Sequence, residues 1–137
     1  MKKLIFIFIA IQSFSMRADT ITNWQLYKDN KILLKSNEFE KKSKIGIIYF
    51  NDNFKSLNFN IFYDFFGDKT FKKIEFIVEN KIIQSVSVYD DVRLSFKIKK
   101  EKLNLLFGKY RNAEIILKYY DKINPKGIII GRLKIKS

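Results

Sequence analysis

The 137-residue chain has room for one domain, and its 47% hydrophobic and 16% aromatic content is too rich for a disordered polypeptide. A balance of 27 Lys and Arg against 14 Asp and Glu gives a formal net charge of +13, so a partner selected by charge is an anion. Neither Cys nor His occurs, which excludes disulfides, thiol chemistry, a lipid-bearing cysteine, the usual zinc, copper, haem and iron–sulfur ligand sets, and every histidine-based triad.

Met1, Lys2 and Lys3 form a basic start, residues 4–11 (LIFIFIAI) an unbroken apolar run, and polar Gln12 and Ser13 end it. That order is the order of a cleavable signal peptide, and the run is far shorter than the roughly 20 residues of a membrane-spanning helix. Cleavage is expected after Ser15 or Ala18, leaving residues 19–137 as one periplasmic or secreted domain without a transmembrane anchor. A buried N-terminal strand is the competing reading, and the lysine pair at the very start opposes it. From Asp19 onward the charge is still +10, because only Lys2, Lys3 and Arg17 are lost.

From residue 23 onward apolar residues recur mostly with a period of two, the signature of half-buried strands. Residues 23–27 and 31–35 flank Lys28-Asp29-Asn30 and read as a hairpin; residues 36–42 read as a polar loop. Residues 44–50 (KIGIIYF) are apolar on both sides and predict a central strand covered on both faces. After Asn51-Asp52-Asn53, residues 56–63 (SLNFNIFY) place Leu57, Phe59, Ile61 and Tyr63 inward and Asn58 and Asn60 outward. Gly67-Asp68 marks a connection, and residues 72–78 and 82–89 flank the short polar interruption Glu79-Asn80-Lys81, a second hairpin. Residues 92–98 (VRLSFKI) alternate strictly and predict one strand with Val92, Leu94, Phe96 and Ile98 inward. In residues 99–109 the period changes: Leu103, Leu106 and Phe107 fall at helical spacing, with Gly108 where a helix would stop. Residues 113–120 and 127–136 supply two final strands. Eight or nine strands with one short helix near residues 100–108 predict an all-β antiparallel sandwich, immunoglobulin-like or a partly open barrel.

Without His or Cys, catalysis would fall to carboxylates, Lys, Ser, Thr or Tyr. Asp90-Asp91 is the tempting pair, but neighbours on a strand point to opposite faces, and a solvated turn is the simpler reading. Asn51-Asp52-Asn53 gathers three oxygen ligands yet lacks the glycine and final glutamate of a calcium loop, so no metal site is expected. The glycines are isolated, so no phosphate-cradling loop and no cofactor are expected. Two of Asp64, Asp68, Glu75 and Glu114 would have to converge for glycoside hydrolysis, and the chain has no pattern that requires it. Trp24 is expected in the core, with a stacking platform for sugar or base as the alternative. Tyr119 and Tyr120 are expected to split between faces.

Charge is the feature with a functional edge. If residues 92–98 and the last two strands share a sheet, Arg93, Lys97, Lys118, Arg132 and Lys134 share one face, with Lys99, Lys100 and Lys102 at its rim. Such a surface attracts an anionic envelope component, lipid headgroup or glycan, and its binding weakens as salt rises. Nucleic acid is disfavoured by export and by the absence of an aromatic-interleaved motif. A solvated lysine face, and the residue usage of an AT-rich coding sequence, explain the same charge without a site. The expectation is therefore a non-catalytic binding or accessory module of the cell envelope, touching an anionic component or another envelope protein. Its first rival is a structural, adhesin-like subunit that docks by strand addition, which a long unprotected edge strand would favour. Its second is a carboxylate-dependent hydrolase.

Overall fold

A computed structural model describes residues 21–63 and 67–137, so the expected leader and Asp64 lie outside the described residues. Nine strands run β1 (Asn23–Lys28), β2 (Lys31–Asn37), β3 (Ile45–Tyr49), β4 (Ser56–Phe62), β5 (Lys69–Val78), β6 (Lys81–Asp91), β7 (Phe96–Lys99), β8 (Glu114–Tyr120) and β9 (Ile128–Lys136). A 3-10 turn (Lys100–Lys102) and the helix α1 (Asn104–Lys109) join β7 to β8. The strands form two sheets, β2-β1-β4-β7 and β3-β9-β8-β5-β6. Every pairing is antiparallel except β3 with β9. The fold is an all-β sandwich.

Period-two patterning makes the core. Leu26, Leu34, Leu57, Phe59, Phe96 and Ile98 from the first sheet meet Ile74, Phe76, Ile115, Leu117, Leu133 and Ile135 from the second, and all are buried. Phe59 and Tyr119 pack across the middle with ring centroids 4.8 Å apart. Burying twelve such side chains stabilises the fold by roughly 1.5–3 kcal/mol each before ordering entropy is charged against it. Leu103, Leu106 and Phe107, the residues at helical spacing, are buried too, so the helical turns close the core after β7.

Local chemistry sets the connections. Glu79 and Asn80 both have positive φ, 48° and 63°, the requirement of the two-residue turn that matches strand twist, and Val78 pairs with Lys81 across it. Asp29 (φ 51°) closes the β1–β2 hairpin, and its carboxylate accepts the backbone N–H groups of Lys55 and Ser56, fixing β4 beside β1.

Four expectations need correction. Residues 44–50 do not form a central strand: β3 is an edge, with Gly46 and Ile48 inward and Ile45, Ile47 and Tyr49 exposed. Residues 92–98 do not form one strand. Val92 to Ser95 turn, and Leu94, expected inside, is 58% exposed. The cause is local: the Asp91 carboxylate accepts the Arg93 N–H (2.9 Å) and the Asp91 carbonyl accepts the Leu94 N–H (3.0 Å). Lys72, 1% exposed, then clamps the bend from inside, its Nζ donating to the carbonyls of Asp91 (3.1 Å) and Leu94 (2.9 Å) and pairing with Asp90 Oδ1 (2.5 Å). Asp90-Asp91 is accordingly the bound end of β6 and not a solvated turn. Gly108 does not stop the helix but lies within α1; the chain turns after it, with Asn112 at φ 63°.

Candidate functional site

The bend at Val92 to Ser95 decides the fate of the expected basic face. It carries the chain out of the second sheet into the first, so Lys97 and Lys99 lie on β7, opposite Asn58 and Ser56 of β4. Lys118, Arg132 and Lys134 lie on β8 and β9 in the other sheet. Both groups point away from the core between the sheets, so they occupy opposite outer faces. Arg93 belongs to neither; in its turn it forms a two-point ion pair with Asp91, Nε and Nη2 at 3.1 and 2.9 Å from the two carboxylate oxygens. On the second face the cations are interleaved with acids. Arg132 Nη1 meets Glu114 at 2.7 Å, and Lys118 stands opposite Glu75. At the rim, Lys100 turns inward, donating to the Asp52 carbonyl at 2.6 Å with its Nζ over the Phe54 ring. The condition for one contiguous basic face, a shared sheet, is not met.

Among the described residues, the carboxylates considered for chemistry are each engaged. Asp68 pairs with Lys122 (2.7 Å), Asp52 with Lys28 (2.7 Å), and Glu75 with Lys73 (2.9 Å) and the Tyr120 hydroxyl (2.9 Å). The Arg93 guanidinium and N–H hold Asp91 down to about 2, and the Lys122 ammonium holds Asp68 below the usual carboxylate range. Glu75 is pushed up by burial but drawn below its ordinary value by Lys73 and Tyr120. A general acid needs the opposite shift. Among the described residues no group of three or more acids gathers as a metal site, and the Asp52 carboxylate is taken up by Lys28 and the Tyr49 N–H.

A groove of about 590 Å³ opens where β3 stops short. The parallel β3 covers only Arg132 to Lys136 of β9, so the earlier part of that strand lacks a neighbour on this side. Trp24 fills the gap: it is buried, and its Nε1–H donates to the Ile130 carbonyl at 2.8 Å. Trp24 and buried Ser36, cross-strand partners on β1 and β2, line the groove with Asn37, Glu38, Lys41 and the segment that joins β8 to β9. Buried Asp121 orders that segment, accepting the Tyr63 hydroxyl (2.5 Å) and the N–H groups of Ile123 (2.9 Å) and Asn124 (2.8 Å). Burial and the Asp121 bond together push the Tyr63 hydroxyl well above its ordinary range.

The second feature is an edge. Among the described residues each sheet has two: β2 and β7 in one, β3 and β6 in the other. β2 carries exposed Lys31 and Lys35, β7 is four residues long with Lys97 and Lys99, and β3 is five residues long with its last N–H taken by Asp52. β6 is eleven residues long, and residues 82–89 contain no charge in a chain that is 30% charged. The ladder's phase follows from one bond. Val92 N–H donates to the Asp68 carbonyl (2.9 Å), which makes Lys69 with Asp91 a non-bonded pair, and the register carries the alternation without interruption to Phe76 and Gln84. Lys72 with Val88 and Ile74 with Val86 are therefore bonded pairs. Ser85, Ser87 and Tyr89 aim their backbone groups at the unpaired side. Near this edge Phe71, 72% exposed, packs against Tyr89 in a tilted ring pair with centroids 4.9 Å apart.

Reading the sequence missed both features. Residues 82–89 were legible as a strand, but its position at an edge is a property of the other strands. The missing charge marks a strand rather than an edge, since residues 20–27 and 56–63 share it. No family model and no characterised relative matches the chain. No helix among the described residues is long and apolar enough to cross a membrane.

Proposed function

We propose that the chain is an exported, non-catalytic accessory module of the cell envelope that docks an extended segment of a partner along β6. One observation carries the reading: the longest unpaired edge is also the one without charge over residues 82–89. Sheet proteins guard their edges with lysines, short strands or covering loops. β2 and β7 have such guards; beside β6 the helical segment reaches Gln84, whose Nε2 donates to the Lys102 carbonyl, and leaves Ser85, Ser87, Val88 and Tyr89 exposed, the expected condition of an edge that is meant to be paired. Backbone groups of Ser85, Ser87 and Tyr89 supply the affinity, and the tilted Phe71–Tyr89 pair supplies apolar contact beside them.

The rival reading, an anionic envelope component held by lysines, draws support from the net charge of +13 but no longer from a single face. Salt and one substitution separate the two. Ser87→Pro removes an N–H that only an added strand would use. Capture of envelope proteins that persists at high salt and is lost in S87P supports strand addition. Capture lost at high salt and unchanged in S87P refutes it and returns the function to the lysines.

A further inference from the structure

The β6 edge is self-complementary, and we infer that its partner is a second copy of this chain, paired antiparallel about a two-fold axis through Ser87. The inference rests on the strand-addition reading and names the occupant. Backbone phase permits it: the outward-aimed residues are 85, 87 and 89, and a two-fold at 87 pairs Ser87 with Ser87 and Ser85 with Tyr89, all residues whose groups face the open side. Side chains agree. Tyr89 meets the smallest polar side chain on the strand, and Val88, left 37% exposed on the core side of the sheet, meets Val86 of the second copy. The pairing gives a continuous sheet in which the two β6 strands are central.

Charge argues for this partner over an acidic one. A domain at +10 from Asp19 onward repels its own kind everywhere that its lysines face outward, and a contact free of charge lets two copies approach. Residues 82–89 are such a contact, and the nearest charged position in the register, Asp90, falls opposite uncharged Gln84.

The absence of cysteine makes the register directly readable, because any introduced thiol is the sole one. In the inferred dimer two Ser87 Cα atoms lie about 5.5 Å apart, within disulfide range, whereas two Ser85 residues are offset by four positions, roughly 13–14 Å. The full-length coding sequence carrying Ser87→Cys or Ser85→Cys is expressed, and the purified products are oxidised and compared with the unsubstituted protein in sedimentation velocity. The expected result is a concentration-dependent dimer for the unsubstituted protein and a disulfide dimer for S87C that forms at least about tenfold faster than for S85C. A monomer at every concentration, or equal cross-linking of the two variants, overturns self-pairing. In that case S87P-dependent capture of an envelope protein leaves strand addition standing with a foreign partner, and capture indifferent to S87P overturns both.

Discussion

Proline scanning of β6 tests the backbone phase on which both proposals depend. Val86 pairs with buried Ile74, and its N–H points into the sheet; Ser87, one residue on, faces Lys73 in a non-bonded pair and points its N–H outward. Val86→Pro therefore loses one ladder bond, about 1 kcal/mol, and leaves the Ile74 carbonyl without its donor in a dry site, a further ~1–3 kcal/mol. The sum is about 2–4 kcal/mol. Ser87→Pro loses no bond within the domain and costs only the restriction of φ, on the order of 1 kcal/mol or less, as tolerated on edge strands. Urea unfolding of the purified variants, followed by tryptophan fluorescence, measures both. With a slope of about 2 kcal/mol per molar for a small domain, V86P should lower the midpoint by about 1–2 M and S87P by about 0.5 M or less. Equal damage from the two would refute the alternation, and with it the claim that Ser87 presents its backbone to a partner.

Three further outcomes follow from particular contacts. Lys72→Met removes the donor that the carbonyls of Asp91 and Leu94 and the carboxylate of Asp90 share; because Asp90 stays partly open to water, the lost bonds should cost about 2–4 kcal/mol in urea unfolding, and a loss under about 1 kcal/mol would mean the bend holds without it. Trp24→Phe keeps an aromatic ring but orphans the Ile130 carbonyl, so a loss of about 1–3 kcal/mol is expected, and none would show that the indole bond is dispensable. Asp29, Asp52, Asp68 and Asp91 all have carboxyls held below their ordinary values by hydrogen bonds from lysine, arginine or backbone donors. As pH falls, the unfolded chain takes up protons first, so their contribution is intact above the ordinary carboxylate range and lost below it. Thermal midpoints should begin to fall near pH 4 and keep falling toward pH 2, less steeply in Asp91→Asn, and a midpoint flat to pH 2 would contradict these bonds.

Much of the architecture was legible because strand patterning is a local property. The Glu79-Asn80 hairpin, the alternation of β4 and the helical spacing of Leu103, Leu106 and Phe107 all appear where the pattern puts them. The failures share one cause: a residue's facing near a strand end is set by what arrives from elsewhere. On β5 Phe71 points to solvent and Lys72 points inward, the reverse of hydrophobic expectation, because the carbonyls of the bend at Val92 to Ser95 need a donor from below. The strict alternation of residues 92–98 was misleading for the same reason. Asp91 has a carboxylate within reach of the Arg93 N–H, and that local turn outweighs a strand propensity worth at most about 1 kcal/mol. The groove was invisible because it exists only where the five-residue β3 fails to cover β9, and strand length relative to a non-sequential neighbour is not written in either strand.

The distribution of charge then carries more information than its sum. Lysines stand on both outer faces and on the β2 and β7 edges, while Asp52, Glu75, Asp91, Asp68 and Glu114 are spent in pairs with Lys28, Lys73, Arg93, Lys122 and Arg132. A composition bias toward lysine distributes charge without regard to topology, so it accounts for the faces. Eight-residue uncharged intervals also occur at residues 20–27 and 56–63, where β1 and β4 are paired on both sides; at residues 82–89 the interval falls instead on the long edge that has no neighbour among the described residues. Solubility argues for a lysine there, because an open strand of alternating serine and valine is a template for aggregation. That omission is tolerable when the edge is covered in the working state of the protein, and a covered β6 leaves the lysines to keep every other surface apart.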